Sequence, residues 1–576
     1  MDFLINNMAP IIFISMVAFL LLGFPVAFAL GACGVFFGLV GIELGLLTPA
    51  LFQAMPDRIW GVMNNDTLLA IPFFTFMGLI LERSGMAEDL LDTIGQLFGP
   101  IRGGLAYAVI FVGAMLAATT GVVAASVISM GLISLPIMLR YGYDKRLASG
   151  VIAASGTLAQ IIPPSLVLII MADQLGKSVG DMYKGAFIPG FVLTGLYILY
   201  IILVSFVRPQ WVPALPAEAR TIKEDDGSAG LRSLGILTLL SVGAAVAYAK
   251  LQIPADTPTD EMVVVSMSVG IGVAFALAVL NKLFRTNMLS RMAERVTFVL
   301  IPPLALIFLV LGTIFLGIAT PTEGGAMGAL GALIMALLRK RLDLKLLRQA
   351  METTAKLTAF VVFILVGARV FSLTCYGVEG HLWVEHLLSD LPGGQVGFLI
   401  VVNLLIFVLA FFLDFFELSF IVVPLLAPAA EKLGIDLIWF GVLLGVNMQT
   451  SFMHPPFGFA LFYLRSVAPP SVRTTQIYWG AVPFVIIQII MVGIIIGFPQ
   501  LVTMGLDTQE KVDTESVEIV VPDSETPAED APVQFDEPKD GAAPPAAEGA
   551  GKDAASAEDD AAKALEKALQ QGDKKQ

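Results

Sequence analysis

Ser155-Gly156-Thr157-Leu158-Ala159-Gln160-Ile161-Ile162-Pro163-Pro164-Ser165 begins like an apolar helix and runs into two consecutive prolines. Each proline lacks a backbone N–H and clashes with the preceding turn, so the helix cannot continue through this point. A second stretch, Asn447-Met448-Gln449-Thr450-Ser451-Phe452-Met453-His454-Pro455-Pro456, breaks in the same way. Sliding the chain on itself by 292 positions superposes Pro163-Pro164 on Pro455-Pro456, Pro136 on Pro428, Gly142 on Gly434 and Asp144 on Asp436. A shared shift with matching order reads as an internal repeat. Unwound backbone frees carbonyl oxygens, and with neighbouring Ser, Thr and Asn oxygens these suit a small hard cation such as sodium. For either break taken alone, a kink that serves only packing is the alternative.

The composition around these breaks fixes the class. Of 576 residues, 57% are apolar and 14% charged, with mean hydropathy +0.83; soluble domains are nearer a quarter charged. The formal net charge of −14 is unevenly spread: residues 507–576 hold 19 acids and 7 bases, while the first 506 hold 29 and 27. A near-neutral apolar body thus carries an acidic tail. That excludes a soluble enzyme, and a pI near 4.8 offers no basic face for nucleic acid. Cys33 and Cys375 sit in apolar runs without metal-ligand spacing and read as small buried hydrophobes. The N-terminal apolar run lacks a basic n-region and a cleavage pattern, so it reads as a membrane helix.

Crossing a hydrocarbon core of about 30 Å takes about 20 apolar helical residues. Runs near 4–22, 24–41, 66–84, 147–172, 186–207, 232–250, 262–281, 296–318, 322–338, 355–375, 437–466 and 476–499 fit. Segments 45–62 and 343–354 mix polar and apolar residues at helical spacing and predict interfacial arms. Two apolar stretches, 104–140 and 396–433, are interrupted at their centres by Ala117-Ala118-Thr119-Thr120-Gly121 and Leu413-Asp414-Phe415-Phe416-Glu417. Each reads as a re-entrant hairpin of two half-helices, with paired full-length helices as the alternative.

Basic residues in loops set the expected orientation. The loops holding Arg208, Arg220, Lys223 and Arg232, then Lys282, Arg285, Arg291 and Arg295, then Arg339, Lys340, Arg341, Lys345 and Arg348, fall on one side, read as cytoplasmic. Asp256, Asp260 and Glu261, and the segment with Glu379, Glu385 and Asp390, fall opposite. Helix counting then opens the first hairpin inward and the second outward, tips facing. The expected fold is an all-α polytopic membrane protein, an inverted-repeat secondary transporter with two re-entrant hairpins and two interrupted helices. Residues 1–207 form the first repeat, 208–295 a linker with two extra helices, 296–500 the second repeat, and 501–576 an acidic disordered tail with a short helix near Ala561 to Gln570.

Charged groups expected at membrane depth are functional candidates. Asp414 and Glu417 at the second tip could balance cations, and Arg369 could face a substrate carboxylate or snorkel to the outer interface. Glu323 opens a helix, where its charge suits the positive dipole end. No G-x-x-x-x-G-K-[ST] occurs, so no ATP site is indicated.

Gly156-Thr157-Leu158-x-x-Ile161-Ile162-Pro163-Pro164-Ser165, Ala319-Thr320-Pro321-Thr322-Glu323-Gly324-Gly325, Phe412-Leu413-Asp414 and Pro455-Pro456-Phe457-Gly458 together resemble the large membrane subunit of TRAP (tripartite ATP-independent periplasmic) transporters. The resemblance spans most of the first 500 residues. It implies a sodium-coupled importer of the elevator type in the bacterial inner membrane, within the wider ion-transporter superfamily. It also implies a periplasmic binding protein that delivers an organic anion, usually a carboxylate, and a small four-helix membrane subunit as partner. Carried over, it places sodium (Na+) at Ser155, Gly156 and Thr157 on one side and at Asp414, Asn447, Thr450 and Ser451 on the other. Substrate is expected between the tips, at Thr119, Thr120, Asp414, Glu417 and Arg369. Similar proteins usually show Thr before the second Pro-Pro, where this chain has His454; that removes a hydroxyl ligand or adds a titratable group. Helix counting places the tail in the periplasm. The rival readings are a stand-alone sodium/dicarboxylate symporter or antiporter of the same superfamily and, remotely, an intramembrane enzyme using Asp414, Glu417 and His454.

Overall fold

The computed structural model describes residues 2–222, 224, 230–254, 257, 259–284, 288–389 and 391–506, with only the backbone at Asp2, Leu21, Thr119, Thr120, Thr259, Asp260 and Ser389. Lys223, Arg285, Asp256, Asp390 and the tail from Asp507 lie outside the described residues, as does the Asp260 side chain. Every described element is helical. Among the described residues nine helices are long and apolar enough to cross a bilayer, and Pro49–Met63 with Asp66–Arg83, bent by 41°, can count as a tenth. The protein is a multi-pass membrane protein. Large apolar side chains face outward, Leu239 at 74% exposure and Phe206 at 80% among them, as a lipid solvent permits.

The residues that match across 292 positions each do a local backbone task. Gly142 and Gly434 turn the chain with φ of +82° and +70°, a region that L side chains avoid. Asp144 and Asp436 then cap the next helices, accepting from the backbone N–H of Arg146 and Leu147 in one case and of Trp439 in the other. Those helices, Lys145–Thr157 and Leu437–Met453, begin 292 residues apart and end before Pro163-Pro164 and Pro455-Pro456, both cis. Their second halves are Leu166–Leu175 and Phe459–Val467.

Several sequence expectations need correction. The 343–354 segment is no separate arm, because nothing breaks the chain there and Leu344–Gly377 is one helix of 34 residues capped by Asp343. Two helices escaped the reading, Met86–Phe98 and Gly380–Ser389, both too short to register as spans. The hairpin arms are longer than half-helices: Gly104–Thr120 has 17 residues and Val123–Arg140 has 18, about 26 Å each. The second hairpin runs Gly394–Leu409, then Phe415–Glu417, a π-helical turn at Leu418–Val422 and Val423–Lys432.

Helix Met86–Phe98 gathers the three basic loops at one end of the molecule. Its Asp89 pairs with Arg339 and Arg341, its Asp92 with Arg295, and its Gln96 bonds Ala219 and Thr221. Where the second hairpin ends, Lys432 bonds Glu385 at 2.7 Å and holds that carboxyl below its usual range. Both cysteines are buried and free.

Lys145–Thr157 packs so closely on Thr474–Gly497 that a Cβ on Gly480 would collide with the carbonyl oxygen of Arg146. Gly480→Ala should therefore destabilise by about 1–3 kcal/mol. Gly493→Ala on the same helix meets nothing within 4 Å and should be neutral or stabilising. Detergent melting curves of the two variants check this.

Candidate functional site

Each hairpin turn lies against one broken helix. At the first, the chain turns at Gly121, where a Cβ would touch Leu166, the opening residue of the second half of the broken helix. The second arm, through Val127, closes on Gly156. Ser165 bridges the break: its hydroxyl donates to the Gln160 carbonyl at 2.6 Å and accepts from the Val167 N–H at 3.2 Å. Ser155 and Thr157 are buried, and their hydroxyls donate to the carbonyls of Ile152 (3.0 Å) and Ala154 (2.9 Å). Gln488 donates to the Tyr197 hydroxyl at 3.0 Å and weakly to Thr157 Oγ1 at 3.4 Å. The side chains of Thr119 and Thr120 lie outside the described residues; their backbone ends the first arm.

The second junction follows the same plan with different side chains. Asn447 donates from Nδ2 to the carbonyl of Asn403 at 2.8 Å and to its Oδ1 at 3.0 Å, tying the broken helix to the hairpin. Thr450 and Ser451 are buried, and their hydroxyls donate at 2.7 Å to the carbonyls of Asn447 and Met448. In all four cases the hydroxyl proton is used one turn back in its own helix. That leaves the oxygen lone pairs, and the Asn447 Oδ1, as acceptors of the kind a hard cation binds.

Asp414 and Glu417 open the second arm of the hairpin as a reciprocal capping box. Asp414 Oδ1 accepts from the Glu417 N–H at 3.0 Å, and Glu417 Oε2 accepts from the Asp414 N–H at 2.9 Å. Their first task is therefore to start a helix at the tip. Thr320 and Glu323 make the same box where Pro321–Leu338 begins. Arg369 is not brought to the tip. Its helix, Leu344–Gly377, meets the hairpin at Phe360 against Phe416, and Arg369 lies nine residues, about 13 Å, further along. It is half-buried, within electrostatic reach of Tyr376, and makes no ion pair among the described residues.

The two junctions meet. Leu437–Met453 packs on the turn Leu158–Gln160 and runs antiparallel to Leu166–Leu175, with Gly441 at Leu175 and Gly445 at Leu168. Sequence reasoning missed the buried amides around this crossing. Gln449 is fully buried with neither amide atom bonded, and the Oε1 atoms of Gln160 and Gln488 are also without partners. Asn403 was missed as well, for its role exists only through Asn447.

The description "Tripartite ATP-independent periplasmic transporter, DctM component" belongs to the family model that matches residues 13–501. The C4-dicarboxylate TRAP transporter large permease protein of Pseudomonas aeruginosa is 26% identical over 465 residues, 80% of this chain and 91% of that protein. Its namesake in Vibrio cholerae is 28% identical over 508 residues, 83% of this chain and 94% of that protein. The sialic acid TRAP transporter permease protein of Haemophilus influenzae is 24% identical over 452 residues, 78% of this chain and 61% of that protein. The family match takes in both broken helices and both hairpins, and the chain belongs to the DctM component family of tripartite ATP-independent periplasmic transporters as a large permease subunit, not an enzyme.

Proposed function

We propose that this subunit carries a small organic anion inward, coupled to sodium, by moving its hairpins and broken helices, together with Thr474–Gly497 packed on the first of them, as one unit against the remaining helices. A tripartite system implies two partners: a small membrane subunit that braces it and a periplasmic binding protein that loads it. The observation that supports this most is the pair of breaks. Each puts buried hydroxyl oxygens, with protons already used within their own helix, on a broken helix that packs against a hairpin. A cation at each junction would draw hairpin and break together. Because binding couplings are reciprocal, ordering of the tips by sodium would raise substrate affinity, and substrate would raise sodium affinity. The relatives named for C4-dicarboxylates and for sialic acid point to an acidic substrate.

Reconstitution of the subunit with its two partners in proteoliposomes tests this reading. Uptake of a labelled carboxylate should fall to background when sodium is replaced by choline, and again when the binding protein is left out. Uptake indifferent to sodium would refute the coupling, and uptake without the binding protein would refute the dependence on it.

A further inference from the structure

An open cavity of about 140 Å³ lies among the ends of three helices, Lys145–Thr157, Val179–Val207 and Thr474–Gly497. Its polar wall consists of donors: the Arg146 guanidinium, the Tyr200 hydroxyl and the indoles of Trp211 and Trp479. None of these side chains has a hydrogen-bond or ion-pair partner among the described residues. Leu147 and Pro483 make the wall apolar elsewhere, and no carboxylate is among the lining residues. Asp144 is within electrostatic reach of Tyr200, but its Oδ1 already accepts from the N–H groups of Arg146 and Leu147 at 2.9 and 3.2 Å. The Asp144 N–H donates to the Trp211 carbonyl at 3.0 Å, which holds that residue beside the start of the broken helix. The Arg208 guanidinium lies 5.5 Å from the centre of the Trp211 ring and adds a second positive charge.

The cavity is set in slightly from the helix ends. Tyr200 stands seven residues, about 10 Å, before the end of its helix, and Trp479 five residues, about 8 Å, into its own. Two tryptophans and a tyrosine around one opening suit the headgroup level of a bilayer. Arg208 belongs to one of the basic loops, so the opening is on the side read as cytoplasmic. From Trp479 a lipid-facing stripe runs past Pro483 toward the midplane: Trp479, Ile486 and Ile490 share one helix face at 65%, 52% and 51% exposure.

Unpaired donors around a guanidinium call for an anion rich in acceptor oxygens, and arginine matches phosphate. A soluble anion has no use for the apolar stripe above the opening, whereas an acyl chain does. Basic pockets between membrane helices on the cytoplasmic side suit phospholipid headgroups. We propose that this cavity is a binding site for an anionic phospholipid of that leaflet, of the phosphatidylglycerol class. Its phosphate accepts from Arg146 and Tyr200, the indoles flank its glycerol backbone, and an acyl chain lies along Trp479, Ile486 and Ile490. The site holds whatever the transported solute is.

The test uses the full chain, purified with its small membrane subunit, in phosphatidylcholine nanodiscs. Each sample contains a trace of phosphatidylglycerol or of phosphatidylcholine that carries a diazirine in its acyl chain. After irradiation, peptide mapping should find the phosphatidylglycerol label on residues 479–490, about fivefold above the phosphatidylcholine label. Arg146→Gln should remove that fivefold excess. Tyr200→Phe, which keeps the ring against Phe484, should lower the phosphatidylglycerol label about threefold. Arg140→Gln, an exposed charge at the same end that does not line the cavity, should change it less than about twofold. Melting curves show whether each variant is folded, and Tyr200→Phe carries the test if Arg146→Gln is not. Equal labelling by the two lipids, or an excess that survives in the folded variants of Arg146 and Tyr200, overturns the assignment. Loss of the label on addition of excess inorganic phosphate also overturns it, in favour of a soluble anion.

Discussion

Cysteines at Asn65 and Asp173, bridged by mercuric ion in a background lacking Cys33 and Cys375, should stop uptake, and dithiothreitol should restore it. Asn65 sits at the bend between Pro49–Met63 and Asp66–Arg83, and its Nδ2 donates to Asp173 Oδ1 at 2.6 Å. Asp173 lies near the end of Leu166–Leu175, the second half of the first broken helix. The bond therefore joins the proposed moving unit to the helices it moves against. Ser129 to Glu82, at 3.0 Å, makes a second such join from the second arm of the first hairpin. Under the proposed motion both must part in every cycle, so a covalent bridge at either would hold the unit in one position. A cysteine pair at Gly38 and Thr374, where Val26–Glu43 meets Leu344–Gly377, is the control, compared before and after bridging because the new Cβ at Gly38 displaces the Phe52 ring. That pair joins two helices on the same side of the proposed boundary and should leave uptake intact. Full uptake with the Asn65–Asp173 bridge in place would rule out relative motion at that contact.

Thr157→Val and Thr450→Val should each raise half-saturating sodium about tenfold, equivalent to about 1.4 kcal/mol of cation binding, and together about a hundredfold. Valine keeps the shape and removes the oxygen. Stability should fall by less than about 1 kcal/mol, because each hydroxyl donates to a carbonyl of its own helix, a local bond of little net worth, and Gln488, which also reaches Thr157 weakly, keeps its bond to Tyr197. The contrast between a large sodium effect and a small stability effect is what separates a ligand from a packing residue. Sodium-dependence curves of uptake beside melting curves give both numbers; a melting loss without a sodium shift would assign these threonines to packing.

Residues that control the backbone are the ones whose structural role is legible without coordinates. Pro163-Pro164 and Pro455-Pro456 mark the breaks, and Gly142, Gly434, Asp144 and Asp436 mark a turn and a cap, because each acts on its own stretch of chain. Met86–Phe98 and Gly380–Ser389 are hidden by a rule of length, since amphipathic helices of 13 and 10 residues give no crossing signal. Asp414-Phe415-Phe416-Glu417 carries a structural signal beside its charge. Two acids at membrane depth drew a charge-based reading, while their spacing of three already fits a capping box. Gln160, Gln449 and Gln488 are outside the reach of pattern reading, because an amide is orphaned only by what surrounds it. Arg369 was placed by its charge alone, and only its distance along a continuous 34-residue helix separates it from the tip.

The glycine contacts carry a mechanical consequence. Where carbonyl and Cα of one helix press directly on another, no side chain is left to swing aside, so two such helices are welded. Gly150 and Gly480 weld Lys145–Thr157 to Thr474–Gly497; Gly34 against Val370, with Gly367 against Ala27, welds Val26–Glu43 to Leu344–Gly377. Elsewhere helices meet through side-chain tips, as from Asn65 to Asp173 and from Ser129 to Glu82, and these contacts can let go and re-form. A shear of the kind proposed would pass through contacts of this second sort and leave each welded pair intact.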